Sequence, residues 1–221
     1  MDSFLIILGL VIALSAQAYV TSSYNKYKNV KTKKELSGFE VASKILKENG
    51  LDNIYVTEVN GVLSDHYDSG RKVVRLSSDV FHGTSISSVS VAAHEVGHAI
   101  QDKVNYSFMR IRYSLFPIVN FSSYAGYVAI LIGIIFSIVD LIWIGIAFEV
   151  MILLFQLITL PVEFNASKRA REELLKYKIL TSKEIESSVK VLNAAAFTYV
   201  ASVLTTLLQI LRLVLSFSRR D

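Results

Sequence analysis

The sequence predicts an α+β integral membrane protein, mainly α-helical, with about four transmembrane helices and a small water-facing domain that carries a short β-meander. Three observations lead there. Of 221 residues, 52% are hydrophobic and only 19% are charged, against roughly a quarter charged in an ordinary soluble domain. The mean hydropathy is +0.44. The apolar residues are gathered into four long segments, with most of the charge in two stretches between them. The absence of cysteine excludes a disulfide-stapled scaffold, a Cys-based zinc site and a cysteine nucleophile. The hydrophobicity excludes a disordered chain. The net charge of +4 suits basic loops beside a lipid bilayer, and no nucleic-acid partner is expected.

Phe4 to Val20 is a 17-residue run without a charge, at the short end for a spanning helix. Asp2 precedes it, and Lys26, Lys28, Lys31, Lys33 and Lys34 follow it. A cleaved signal peptide carries its basic residues before the core. This order instead favours a retained anchor, residues 1–25, with its N-terminus outside. Residues 26–113 form the water-facing domain. Ser37-Gly38-Phe39-Glu40 is a capping-box pattern ahead of a helix ending at Asn49-Gly50. Ile54–Val59, Val62–Tyr67 and Arg71–Leu76 read as three meander strands, joined by turns at Asn60-Gly61 and Asp68-Ser69-Gly70. A helix follows over about Ser87–Asp102.

Ser114–Val139 holds 26 residues without a charge, and Leu141–Leu160 is apolar except for Glu149. Together they predict a transmembrane hairpin, residues 114–161, turning tightly at Asp140. Residues 162–190 are polar and basic and continue past Pro161 as a helix and loop. Residues 191–221 hold the fourth apolar stretch, Val191–Phe217, broken by Arg212. Glu149 and Arg212 fall in the same half of their spans, and an ion pair between them is expected as structural glue.

Residues 21–113 carry 13 basic and 10 acidic side chains, and residues 162–190 carry 7 and 5. Four spans put both segments on one side, which the positive-inside rule makes the cytoplasm. The tail Ser218-Arg219-Arg220-Asp221 then lands outside, against that rule. A re-entrant or interfacial fourth segment therefore stays open.

His94-Glu95-Val96-Gly97-His98 is an H-E-x-x-H motif. On a helix the two histidines lie on one face a turn apart. Both imidazoles can then share one Zn²⁺ at about 2.0–2.1 Å. Glu95 is turned ~100° from His94, so it is placed to act as general base on a water activated by the metal. A catalytic zinc wants a third protein ligand and an open position. His66 and His82 are the remaining histidines, but Glu163, just past the third span, is the better candidate. It falls on the side where His94 and His98 must lie.

Three stretches carry a resemblance. Ala92-Ala93-His94-Glu95-Val96-Gly97-His98-Ala99-Ile100-Gln101, Thr159-Leu160-Pro161-Val162-Glu163-Phe164-Asn165-Ala166-Ser167 and Leu192-Asn193-Ala194-Ala195-Ala196-Phe197-Thr198-Tyr199-Val200 resemble the YugP-type membrane zinc metallopeptidases. Asp65-His66-Tyr67-Asp68 is similar to that family's segment before the motif. The resemblance implies a prokaryotic multi-pass cell-membrane protein with a cytoplasmic zincin-like domain of the gluzincin type. It implies zinc held by His94, His98 and Glu163, and cleavage of peptide or protein substrates, membrane proteins among them. HtpX-type and CAAX-prenyl-type proteases are more distantly similar. Their third-ligand motif reads E-x-x-x-D, and here Ser167 stands at the aspartate. Ser167 can still accept a hydrogen bond from a ligand histidine, less strongly than a carboxylate.

His66 is a candidate donor to the oxyanion, oriented by Asp65 or Asp68. Tyr67 and Tyr199 are weaker candidates for that role. His82, before Gly83, reads as a loop residue. Lys168, Arg169 and Arg171 read as membrane-surface anchors. An intramembrane site is disfavoured, because Ser85, Ser87, Ser88 and Ser90 make the motif segment too polar. The rival from another class is an inactive membrane scaffold or chaperone that keeps the fold.

Overall fold

The computed structural model describes residues 2–218; the last three residues of the basic tail lie outside it. The chain divides into two compact units. One comprises the described residues of Met1–Gln17, Ser107–Pro161 and Thr198–Asp221, and the other comprises Ala18–Tyr106 and Val162–Phe197.

The second unit holds the sheet. Helix α2, Gly38–Glu48, begins with the expected capping box. The Ser37 side chain accepts from the Glu40 amide, and the Glu40 carboxylate accepts from the Ser37 amide at 2.7 Å. The helix ends at Asn49, and Gly50 takes the left-handed conformation at φ 61° that glycine tolerates. Its buried residues, Gly38, Val41, Ala42, Ile45 and Leu46, follow the helical period and form one apolar stripe. That stripe packs on α4, Ile86–Lys103. Helix α4 starts where the Ser85 side chain accepts from the Ser88 amide. Ser87 and Ser90 are fully buried and donate to the Tyr24 carbonyl and the Ile86 carbonyl. Their hydroxyls are thus satisfied inside the protein.

The three strands are β1, Tyr55–Val59, β2, His66–Asp68, and β3, Val73–Ser77. They do not form a meander. The order is β1-β3-β2, with β1 parallel to β3 and β2 antiparallel to it. The Asn60-Gly61 hairpin fails for a local reason. Gly61 at φ 112° and Leu63 at φ 55° bend the chain out of β1. The Ser64 hydroxyl then closes the loop on the Asn60 and Gly61 carbonyls. Asp65 next accepts from the Ser77 amide at 2.8 Å, which pins the start of β2 to the end of β3. The more apolar β3 takes the centre, with Val74 and Leu76 fully buried. The second expected turn does form, with Asp68 accepting from the Arg71 amide. A single helical turn, α3, Ser78–Phe81, joins β3 to α4.

The first unit is built from long helices: α1, Asp2–Lys28, α5, Ser107–Ile135, α6, Val139–Lys176, and α7, Ser182–Phe217. Helices α1, α6 and α7 also run into the second unit. All four are long and apolar enough to cross a membrane. The α5–α6 turn falls at residues 136–138, with Ser137 at φ 56°. Asp140 is not the turn itself. It sits in the first turn of α6, where a negative charge suits the helix dipole. Pro161 does not open a new helix either, because α6 runs through it. Small residues bring α5 and α6 together: a Cβ at Gly126 would stand 2.9 Å from that of Phe148, and one at Gly133 2.5 Å from Ile142. Ile142, Ile146, Leu213 and Phe217 form a buried cluster between α6 and α7.

The expected Glu149–Arg212 pair is replaced by another contact. Glu149 accepts from the Gln209 amide at 3.0 Å. Gln209 lies one turn before Arg212, and its position on α7 rather than its charge decides the contact. Replacing Gln209 by Leu should leave the Glu149 carboxylate without this donor and cost about 1–3 kcal/mol. A lower melting temperature in detergent checks this, and an unchanged one contradicts it.

Candidate metal and catalytic site

All residues of the candidate site lie in the second unit. Helix α4 supplies His94, Glu95 and His98, and α6 supplies Glu163. The two helices meet where neither has a side chain in the way. A Cβ on Gly97 would stand 2.6 Å from the Ala166 carbonyl oxygen. The His94 Nε2 then lies 3.3 Å and the His98 Nε2 3.6 Å from one Glu163 carboxylate oxygen. The three residues offer ligand atoms within 4.8 Å of one another. Two atoms each about 2.0–2.1 Å from a tetrahedral zinc stand about 3.3–3.4 Å apart. The nitrogen and oxygen donors suit zinc, and the 3.3 and 3.6 Å approaches to Glu163 lie near that spacing.

The outward nitrogens of both histidines are held. His98 Nδ1 lies 3.0 Å from Gln101 Oε1, and Gln101 Nε2 donates to the Val162 carbonyl at 2.8 Å and to Asn165 Oδ1 at 3.0 Å. A carbonyl only accepts, so the Gln101 oxygen must face His98. His98 Nδ1 consequently carries a hydrogen, and its Nε2 is the ring atom that faces Glu163. Arg169 Nε donates to Asn165 Oδ1 at 2.8 Å, which anchors the far end of the chain. Arg169 is thus part of the site's support. On His94, Nδ1 meets Ser167 Oγ at 3.2 Å, the contact expected from serine at the aspartate position.

Glu95 is buried beside the ligands. Desolvation pushes its carboxyl from the usual 4.5 up to about 7, against the pull of His94, and with repulsion from Glu163 and Asp65 adding to it. The Tyr67 backbone amide donates to it, so β2 runs past this acid. Burial likewise raises Asp65, opposed by the Ser77 amide and hydroxyl it accepts from.

The structure does not bring His66 into the ligand cluster. The side chain is exposed on β2, with Nδ1 2.8 Å from the Ser64 carbonyl. Neither expected partner orients it: Asp65 is bound to Ser77, and Asp68 to the Arg71 amide. The Tyr67 hydroxyl donates to Asp102. His82 lies on the surface against Glu58. Gln101 and Asn165 join the site through the hydrogen-bond chain to His98. The signal for Gln101 is its place three residues after His98, hence on the same helix face.

The fold and site define a membrane-associated protein in which the two histidines of an H-E-x-x-H helix meet a glutamate from a second helix. The chain belongs to the family described as "Putative neutral zinc metallopeptidase", whose model matches residues 3–218. It is 44% identical over 214 residues to the "Putative membrane protease YugP" of Bacillus subtilis (strain 168), covering 97% of this chain and 95% of that protein. No solved structure matches it.

Two outcomes follow from this geometry. Gln101→Leu should weaken zinc binding about 10–100-fold, read by competition with a chelating dye; unchanged affinity would remove Gln101 from the site. The second concerns pH. Folding raises the Glu95 pKa from 4.5 to about 7, so its protonated form is favoured in the folded state. That contribution is complete below pH 4.5 and is lost as pH rises through about 7. In chelator-treated protein, Glu95→Gln should be more stable than the wild type at pH 8, by on the order of 3 kcal/mol. The difference should shrink towards pH 5, and melting curves at the two pH values test the sign.

Proposed function

We propose that this protein is a membrane-embedded, zinc-dependent endopeptidase of the gluzincin type, with His94, His98 and Glu163 as metal ligands and Glu95 as general base. The observation that carries the reading is the convergence of the three ligand atoms within 4.8 Å of one another, one residue from a buried acid. Zinc bound there would polarise a peptide carbonyl and lower the pKa of water from 15.7 to about 7. Glu95 takes the proton from the attacking water and returns it to the leaving amine. A pKa near the working pH suits both transfers. The Gln101 and Ser167 contacts hold the histidine rings in place, so little reorganisation accompanies reaction.

Substrate binds in extended form along the outer edge of β2, whose Tyr67 amide already reaches Glu95. His66 on that strand is the proposed donor to the carbonyl oxygen. The protein is multi-pass in a prokaryotic cell membrane, its site faces the cytoplasm, and its substrates are peptides or proteins, membrane proteins among them.

Glu95→Gln should keep stoichiometric zinc and lose peptide cleavage by at least about 10²-fold. His94→Ala should lose the zinc itself. Metal analysis, combined with cleavage products in membranes carrying either form, checks both. A metal-free wild type whose function survives Glu95→Gln would instead establish the scaffold.

A further inference from the structure

Beyond Ser167, the second unit opens into a cleft of about 170 Å³ lined by Phe164, Ser167, Lys168, Arg171, Leu192 and Asn193, together with Val189. Its near wall belongs to the metal site, since Ser167 holds His94 at 3.2 Å. Glu163, Ser167 and Arg171 follow one another at i, i+4 and i+8 on α6. They therefore lie along one helix face, about 6 Å apart per step. Two cations project here. Lys168 makes an exposed 3.8 Å pair with Glu172, worth little in water. Arg171 is exposed and lines the cleft beside it. Arg169, between these two cations in sequence, is committed to Asn165.

We propose that this cleft is a substrate subsite that selects an acidic side chain two to four residues from the scissile bond. The proposal rests on the peptidase reading above and names its substrate class. An extended peptide advances about 3.3–3.4 Å per residue, so a side chain two to four residues away lies about 7–14 Å from the scissile bond, a range that includes the ~12 Å rise from Glu163 to Arg171. Phe164, Val189 and Leu192 take the methylenes of a glutamate, while Arg171 presents a planar fork to its carboxylate and Asn193 a further amide. A lipid phosphate has the same charge, but the cleft shares a wall with the metal site and is half apolar, which suits a substrate chain.

The test uses fluorescent octapeptides that differ only by Glu, Gln or Lys at one position. Binding is measured to full-length Glu95→Gln protein in detergent, and cleavage to the wild type in nanodiscs with and without phosphatidylglycerol. The Glu peptide should bind about 10–100-fold more tightly than the Gln peptide. Arg171→Gln should collapse that ratio towards one, and Lys168→Glu with Arg171→Glu should invert it in favour of Lys. An equal ratio in wild type and Arg171→Gln overturns the subsite, whether or not cleavage occurs. So does an Arg171 effect that follows phosphatidylglycerol content and not peptide charge. Arg171-dependent selection without any cleavage keeps the subsite and removes the peptidase reading. Cleavage without selection does the reverse.

Discussion

Where α4 crosses α6, the two backbones touch. Gly97 sits between the ligand positions of one helix and Ala166 between Glu163 and Ser167 of the other. A Cβ at position 97 would stand 2.6 Å from the Ala166 oxygen and 3.2 Å from its Cα. The obstacle is backbone, which cannot swing away as a side chain can. A glycine in a helix interior costs about 1 kcal/mol relative to alanine. Here it fixes the separation of the helices, and with it the 3.3 and 3.6 Å approaches of the histidines to Glu163. The same contact puts Gln101 within reach of the Val162 carbonyl and Ser167 within reach of His94. Four polar contacts thus depend on one missing methyl group.

The support around the histidines is directional. From Arg169 through Asn165 and Gln101 to His98, each hydrogen bond has its donor or acceptor decided by the next. The guanidinium can only donate, and the Val162 carbonyl can only accept. These two ends leave His98 one tautomer. A chain of this kind orders a ring more firmly than a single exposed contact, because reversing any member leaves another unsatisfied in a buried place.

The local patterns in the sequence were the readable ones. The Ser37–Glu40 box, the helix around His94 and the four apolar segments each depend on residues a few positions apart, and each is present. Glu163 was reachable because topology placed it on the same side as the motif. The sheet order was not reachable, because it depends on Asp65 meeting Ser77 twelve positions away. The Asn60-Gly61 pair is a strong hairpin signal only if both flanking strands can pair; Val62 and Leu63 instead stay exposed in a loop closed by Ser64. Charge alone named Arg212 as partner of Glu149, and helix rotation chose Gln209. Arg169 looked like its neighbours Lys168 and Arg171 in sequence, yet the ~100° turn between successive residues sends it to a different face.

Serine at position 167 also bears on the acid next door. Glu95 shares a poorly solvated region with Glu163 and feels Asp65 as well. A carboxylate at 167 would bind His94 more strongly, but it would add a third negative charge to this neighbourhood. In a low-dielectric setting, each such charge raises the cost of ionising the next. Burial already pushes Glu95 up to about 7, and a further rise would favour its protonated form at neutral pH. A neutral acceptor gives up some of the hold on His94 and spares Glu95 that repulsion. The departure from the E-x-x-x-D pattern therefore leaves the Glu95 carboxyl with one negative neighbour fewer. It also shifts part of the task of steadying the histidines onto Gln101, the neutral residue that holds the other ring.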